Sequence, residues 1–410
     1  MHNLNKSCIF AFNIDTPQNQ DTSMAKVTNP FFVKGTIPSA YFCDREQETE
    51  KIVRWLTNGN NIVLIASRRI GKTKLIDHCF RQPQISDAYY TIFVDILQTG
   101  NLQEMTYELG KAVFNALSSV SSRMRTLFIQ TVRSIHGDFG FDPVTNLPKF
   151  SFSLGHIENP TYTLEEIFQV LEQADKPCIV AINEFQRIVQ YPENNIEAIL
   201  RTHIQRLNNC GFIFAGSERH LLGQMFLDQS RPFYDSARIL PLEKIDRHIY
   251  ASFAVQHFRE FGKQVPEEDV NHVYDLFGGN TYAIQKTMNT AFSLTPASGE
   301  CTLPLIRQAI DEILEDNDYE YRTRLTLISP AQKEVLYAIA RSGVASQVTS
   351  SAFVGQFRLG STSSVQSAMR KLLAAGWIAE VGDESKKAYQ LNDLFLMLWI
   401  QKKYGTGYSL

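Results

Sequence analysis

The sequence predicts an α/β protein: a parallel sheet core with helices on both faces, then an all-α segment, then a small domain of helices and a hairpin. Three observations carry this. Up to about residue 242, short and nearly continuously apolar runs alternate with helical patterns, as parallel strands buried on both faces do. From 243 to 316 only helical periodicity is present. From 325 onward the pattern reads helix, helix, helix, hairpin. A chain of 410 residues exceeds what one hydrophobic core usually serves, so several domains are expected.

Taken in order, residues 1–24 are expected to be a tail, either disordered or an upstream extension ahead of Met24. A lead-in from residue 25 reaches a helix with Asp44 as its expected cap. Glu46, Glu48 and Glu50 lie early in it, where the helix dipole favours acids. NIVLIA supplies the first strand, followed by the turn SRRIG and a helix from about Lys72. YYTIFVDI (89–96) is the second strand, with helices at about 101–118 and 120–134 behind it. Residues 139–154 alternate aromatic and polar types about an Asp-Pro turn, which predicts a β-hairpin inserted into the core.

A helix at 163–174, the strand CIVAIN (178–183), a helix at 194–208, the strand FIFAG (212–216) and the short strand ARIL (237–240) complete a core spanning 25–242. The all-α segment, 243–324, breaks at Gly262, at Gly278-Gly279 and between Thr295 and Gly299. Ser329-Pro330 opens the last domain, 325–410, in the favoured cap-then-proline order. There a short segment at 351–357 precedes a helix from Ser361 to Ala375 closed by Gly376, and WIAEV and KKAYQL form a two-stranded wing.

With 44% hydrophobic and 20% charged residues, general disorder is excluded. No apolar run approaches the roughly 20 residues of a membrane-spanning helix. The six cysteines are scattered without metal-ligand spacing, so single buried thiols in a reducing cytoplasm are expected rather than zinc or disulfides. The net charge is −3, which does not suit a protein coated by nucleic acid along its length. Residues 325–410 differ, with nine basic and five acidic side chains.

The residues with the clearest chemistry are Ala66-Ser67-Arg68-Arg69-Ile70-Gly71-Lys72-Thr73, followed by Lys74. They have Walker A spacing with Ala in place of the first Gly, between an apolar strand and a helix. That context turns loop and helix amides toward phosphates, gives Lys72 the β/γ oxygens and lets the Thr73 hydroxyl reach Mg²⁺. ATP and Mg²⁺ are therefore the expected ligands. About 110 residues later CIVAIN-Glu184 has the form of a Walker B strand. Glu184 is the expected base for the attacking water. Asn183 stands where Asp usually orients the metal, which removes one negative charge from its shell.

SRRIGKT, Glu184-Phe185-Gln186 and FAGSERH together resemble the prokaryotic P-loop ATPase family of archaeal type. That family belongs to the signal-transducing STAND branch, close to AAA+ proteins and origin-recognition initiators. Asp44-Arg45-Glu46 resembles the segment that precedes the P-loop there and lies near the base, which implies a nucleotide-side role for Arg45. Ser217 matches the polar residue that watches the γ-phosphate. Arg231-Pro232-Phe233-Tyr234 and Arg238 resemble the stretch leading into a helical lid, and Gly278-Gly279-Asn280-Thr281-Tyr282 sits where the family has Gly-x-Pro. The resemblance covers about residues 30–405 and implies a P-loop core (25–242), a helical lid (243–324) and a winged helix (325–410).

Arg219, Arg231 and Arg238 are candidate arginines for the γ-phosphate, in this chain or toward a neighbouring subunit of a homo-oligomer. On the winged helix, Ser363, Ser364, Gln366, Ser367 and Arg370 are expected on or near the exposed face of the third helix, with Lys386 and Lys387 on the wing. DNA and protein remain equal alternatives as its partner. Trp377, Tyr389, Leu396 and Trp399 read as core or domain-interface residues. The function so implied is an ATP-hydrolysing switch. The alternative is a nucleotide-binding scaffold or DNA-binding regulator with little hydrolysis.

Overall fold

The computed structural model describes residues 27–134, 138–141, 148–151, 157, 159–381, 387–405 and 407–408. The expected tail, the hairpin turn and the wing turn with Lys386 lie outside the described residues. The core runs α1 (Glu46–Thr57), β1 (Ile62–Ala66), α2 (Lys72–Phe80), α3 (Pro83–Ser86), β2 (Tyr90–Asp95), α4 (Leu102–Ser118) and α5 (Ser122–Thr131). It continues through the antiparallel pair β3 (Asp138–Phe141) and β4 (Pro148–Ser151), then α6 (Pro160–Glu172), β5 (Cys178–Asn183), α7 (Ile196–Arg206), β6 (Cys210–Gly216), α8 (Arg219–Leu227) and β7 (Arg238–Leu242).

The sheet is parallel throughout, in the order β2-β5-β6-β1-β7. Alternation divides its strands between two faces. Leu64, Ala66, Ile179, Ala181 and Ile213 pack with α1 and α2. Val63, Val180, Ile182, Phe212 and Phe214 pack with α4 and α6 on the other side. Each such large apolar side chain contributes about 1.5–3 kcal/mol on burial. Because β1 and β5 are buried at every residue, their C-terminal ends are fixed points on which a site can be built.

Asp44 does not cap α1. Asp44 and Arg45 both adopt positive φ (56° and 84°), and the N-cap position is Arg45 without a side-chain cap. The chain bends there because Arg45 is held from two sides, by Glu48 at 2.7 Å and by the Glu243 carbonyl at 2.6 Å.

Beyond the sheet follow α9 (Arg247–Glu260), α10 (Glu267–Leu276), α11 (Thr281–Leu294), α12 (Leu303–Asp316) and α13 (Asp318–Leu325). Then come α14 (Pro330–Ser342), β8 (Ala345–Ser346), α15 (Ser351–Gln356), α16 (Thr362–Ala374), β9 (Ile378–Val381), β10 (Ala388–Leu391) and α17 (Leu394–Tyr404). A capping box of Ser329 and Gln332 starts α14. β8, β10 and β9 form a small antiparallel sheet. The sequence pattern ended at the wing, yet α17 follows it and is buried from Leu394 to Ile400.

One continuous hydrophobic cluster runs from Ile245 through the α9–α12 bundle to Ile400 of α17, so lid and winged helix share a core. Trp399 anchors it, donating from its indole to Asp318 at 2.9 Å. The lead-in joins it too: Phe31 packs against Phe258 and Phe292, and Asn29 and Asn289 each bond the other's segment. Among the described residues no helix is long and apolar enough to cross a membrane.

Candidate nucleotide site

The loop after β1 leads into α2 at Gly71. Gly71 has φ +97°, a conformation that strains any side chain. No side chain caps α2, so the first amides of the helix face outward as a site for an anion. A cavity of about 420 Å³ opens above them. Ser67, Arg68, Arg69, Ile70, Gly71, Lys72, Thr73 and Lys74 all line it, as do Arg45, Glu184 and Ser217. Apolar side chains line it too, from Phe32, Val33 and Phe42 of the lead-in and Ile245 and Tyr250 of the lid. There the Tyr250 hydroxyl donates to Gln285 Oε1 at 2.8 Å. Ala66 is the buried last residue of β1.

Lys72 and Glu184, 112 residues apart, form a buried ion pair at 3.2 Å. The other carboxylate oxygen of Glu184 accepts from Ser217 Oγ (2.7 Å), the Ser217 amide (3.2 Å) and Gln186 Nε2 (2.7 Å). Burial alone would raise the Glu184 pKa. The Lys72 charge and the Ser217 and Gln186 bonds outweigh it and hold the carboxyl below the usual glutamate value. Burial also pulls the Lys72 ammonium below the usual lysine value, with Glu184 opposing. Glu184 itself sits at φ 58°, in the left-handed region, as residues held at functional sites sometimes do.

Gln186 appears in the sequence only as part of the Glu184-Phe185-Gln186 motif, which gives it no role. It sits behind Glu184 in a 3₁₀ turn and is buried, and a Cβ on Gly216 would lie 2.1 Å from its Oε1. Gly216 at the end of β6 is therefore what lets Gln186 reach Glu184. The sequence signal was the Gly216-Ser217 pair ending an apolar strand.

Asn183 ends β5, buried, and its Oδ1 has no hydrogen-bond partner among the described residues. Asn183 does not line the cavity that Thr73 and Glu184 line, but an orphaned oxygen acceptor next in sequence to Glu184 is chemically suited to Mg²⁺ or its bound water, which take oxygen ligands. Among the described residues no group of three or more His, Cys, Asp or Glu could hold a metal.

The structure separates other candidates from the cavity. Arg231 pairs with Glu197. Arg238 stands at the start of β7 beside Ile62, at the opposite end of the sheet from the loop, and its Nε donates to Asn60 at 2.8 Å. Arg219 reaches Glu243 at 3.6 Å. None of the three lines the cavity. Arg45 does, but its guanidinium is engaged by Glu48 and the Glu243 carbonyl.

The sequence model described as an ATPase domain predominantly from Archaea matches residues 42–287, which includes the whole loop, Glu184 and Ser217. The chain belongs to this ATPase family. A model for a probable winged helix domain matches residues 319–402. The chain is also similar in fold to a Walker-type ATPase of Pyrococcus abyssi (18% identity, 91% of this chain and 99% of that one, TM-score 0.59). Two Aeropyrum pernix structures are similar as well. One is the ORC2 protein with ADPNP and ADP (14% identity, 92% and 98% covered, TM-score 0.52). The other is the ORC1 protein in complex with DNA (13%, 88% and 93%, TM-score 0.50). No curated protein sequence matches this chain.

In this archaeal-type ATPase the loop also touches the lid and comes near the winged helix. The Tyr282 amide at the start of α11 donates to the Arg69 carbonyl at 3.1 Å, and the Arg69 guanidinium lies over the Tyr282 ring at 5.1 Å. Arg68 Nε reaches Ser217 Oγ at 3.4 Å, and a Cβ added to Gly376, just past α16, would stand 3.6 Å from Arg68 Nη1. On α16, Ser363, Gln366, Ser367 and Arg370 are exposed and Ser364 is half-buried. Lys387 is exposed beside Glu380 on the wing. Lys402 and Lys403 instead pair with Asp311 and Asp318 of the lid.

Proposed function

We propose that this ATPase binds ATP with Mg²⁺ between core and lid, hydrolyses it slowly, and uses nucleotide state to move lid and winged helix as one body. The observation that carries this reading is the Lys72–Glu184–Ser217 cluster beneath an uncapped helix N-terminus. The α2 amides and Lys72 take the β/γ-phosphate oxygens, which draws the ammonium away from Glu184. Glu184, still held by Ser217 and Gln186, then accepts a proton from the water that attacks the terminal phosphorus, as the bond to ADP breaks. Mg²⁺, when bound, neutralises phosphate charge; Thr73 Oγ1 and Asn183 Oδ1 are the side-chain groups that would hold it. Asn183 contributes no charge, which is the reason to expect slow turnover.

The apolar lining of the cavity suits a base. The shared lid and winged-helix core supports their movement as a unit, about a hinge near Glu243 where Arg45 binds the carbonyl. Contacts of Arg69 with Tyr282, and of Arg68 with Ser217, lie where a γ-phosphate would compete for both arginines. A switch of this kind is the STAND reading of the family. Steady-state phosphate release tests the enzyme: activity in wild type that is lost in Glu184→Gln supports it. Background activity that Asn183→Asp rescues favours a nucleotide-binding scaffold instead.

The exposed polar face of α16 favours DNA as a partner of the winged helix, and the DNA complex of the similar ORC1 protein adds to that. Affinity for duplex DNA that falls steeply with salt is the expected result, and no binding at low salt rejects it. Arg231 and Arg238 would serve a γ-phosphate only across a homo-oligomer interface, which light scattering with ATP tests.

A further inference from the structure

The metal side of the site lacks its carboxylate because Asn183 ends β5. The neighbouring strand carries one at the same level. Asp95, the last residue of β2, is the in-register partner of Asn183. Side chains of directly paired residues in a parallel sheet point to the same face, and neighbouring strands lie about 4.8 Å apart. That face is the one α2 covers, with Ile179 and Ala181 two and one pleats below Asn183, and α2 opens with Lys72 and Thr73. Asp95 is exposed there. One of its oxygens accepts the Leu97 amide at 3.0 Å, which fixes the side chain at the strand end, and among the described residues no hydrogen bond engages the other oxygen. Beside Asp95, Asn183 Oδ1 is deeply buried and has no hydrogen-bond partner among the described residues.

We propose that Asp95 supplies, from β2, the negative charge that Asn183 withholds on β5, acting on the water shell of a nucleotide-bound divalent cation while Asn183 Oδ1 accepts from that shell or binds the ion. Mg²⁺ keeps several waters when it binds proteins, so a carboxylate one strand further out contacts those waters. Asp95 is in this sense a positioning residue. A cap for the turn at Leu97 needs only an acceptor, which asparagine also provides; the charge is what the proposal requires.

The inference rests on the nucleotide reading above, and its test separates the two. Full-length wild type, Asp95→Asn, Asn183→Asp and the double variant are titrated with a fluorescent ATP analogue in EDTA and in Mg²⁺. Mn²⁺ binding in the presence of ATP is followed in parallel by loss of the free-ion electron paramagnetic resonance signal. Affinity in EDTA should be the same for wild type and Asp95→Asn. Asp95→Asn should lose most of the gain that Mg²⁺ gives, with Mn²⁺ binding weakened about 10- to 100-fold, as loss of outer-shell partners does. The double variant, with its charge moved back to β5, should regain it.

An Asp95→Asn protein that keeps the full Mg²⁺ gain and Mn²⁺ affinity overturns the proposal, as does a double variant with no recovery. Wild type that binds the analogue in EDTA but gains nothing from Mg²⁺ overturns it while leaving the nucleotide reading intact. Wild type that binds in neither condition overturns both.

Discussion

Replacing Glu184 by Gln should tighten nucleotide binding, and the reason lies in who surrounds the carboxylate. Every neighbour is a donor: the Lys72 ammonium on one oxygen, and the Ser217 amide, Ser217 hydroxyl and Gln186 Nε2 on the other. A glutamine must place its oxygen at one end and its NH₂ at the other. The Ser217 backbone amide cannot turn into an acceptor, so the oxygen belongs on that side and the NH₂ meets Lys72. The charged bond is then lost. A hydrogen bond to a charged group is worth about 1.5–3 kcal/mol, and this stabilisation of the nucleotide-free state is what ATP must overcome. Its removal predicts affinity roughly 10- to 150-fold higher, at about 1.4 kcal/mol per tenfold, with nucleotide-free stability lowered by a similar amount. Equilibrium titration with a fluorescent ATP analogue, alongside urea unfolding of the free protein, measures both. Unchanged or weaker binding by a folded Glu184→Gln protein would refute the claim that the ion pair competes with nucleotide.

Gly216→Ala should cost about 1–3 kcal/mol by overpacking, because the added Cβ meets Gln186 Oε1 at 2.1 Å and Leu222 Cδ2 at 2.9 Å; urea unfolding shows it, and a neutral result contradicts the close approach. The Glu184 pKa is depressed in the folded protein, so the stability it contributes is full above the ordinary glutamate value of about 4.3 and is lost as pH falls through the lower folded value. The urea-midpoint difference between wild type and Glu184→Gln should accordingly shrink only on strong acidification. Arg69→Ala removes the guanidinium over Tyr282, worth about 0.5–1 kcal/mol at an exposed site, and should speed hydrogen exchange at the Tyr282 amide; exchange as in wild type contradicts the lid contact.

The sheet was legible because its strands are short apolar runs bounded by turns, and the loop because its spacing is specific. What escaped reading depended on contacts far along the chain. Arg45 bends the chain ahead of α1 by bonding the Glu243 carbonyl, 198 positions away, and no local cap pattern reveals that. Gln186 reaches Glu184 only because Gly216 on another strand leaves room. α17 is buried at every residue from Leu394 to Ile400, a run with no amphipathic period to read. Arg231 and Arg238 looked like phosphate ligands from their order in sequence, but folding gives one to Glu197 and sends the other to the far end of β7.

The central claim is that the loop from Ser67 to Thr73 grips a nucleotide through Lys72. Calorimetric titration of the purified full-length chain with ATP and Mg²⁺ tests it most directly when paired with Lys72→Ala. The account predicts one nucleotide per chain for wild type and none for a folded Lys72→Ala protein; equal binding by the two would contradict it.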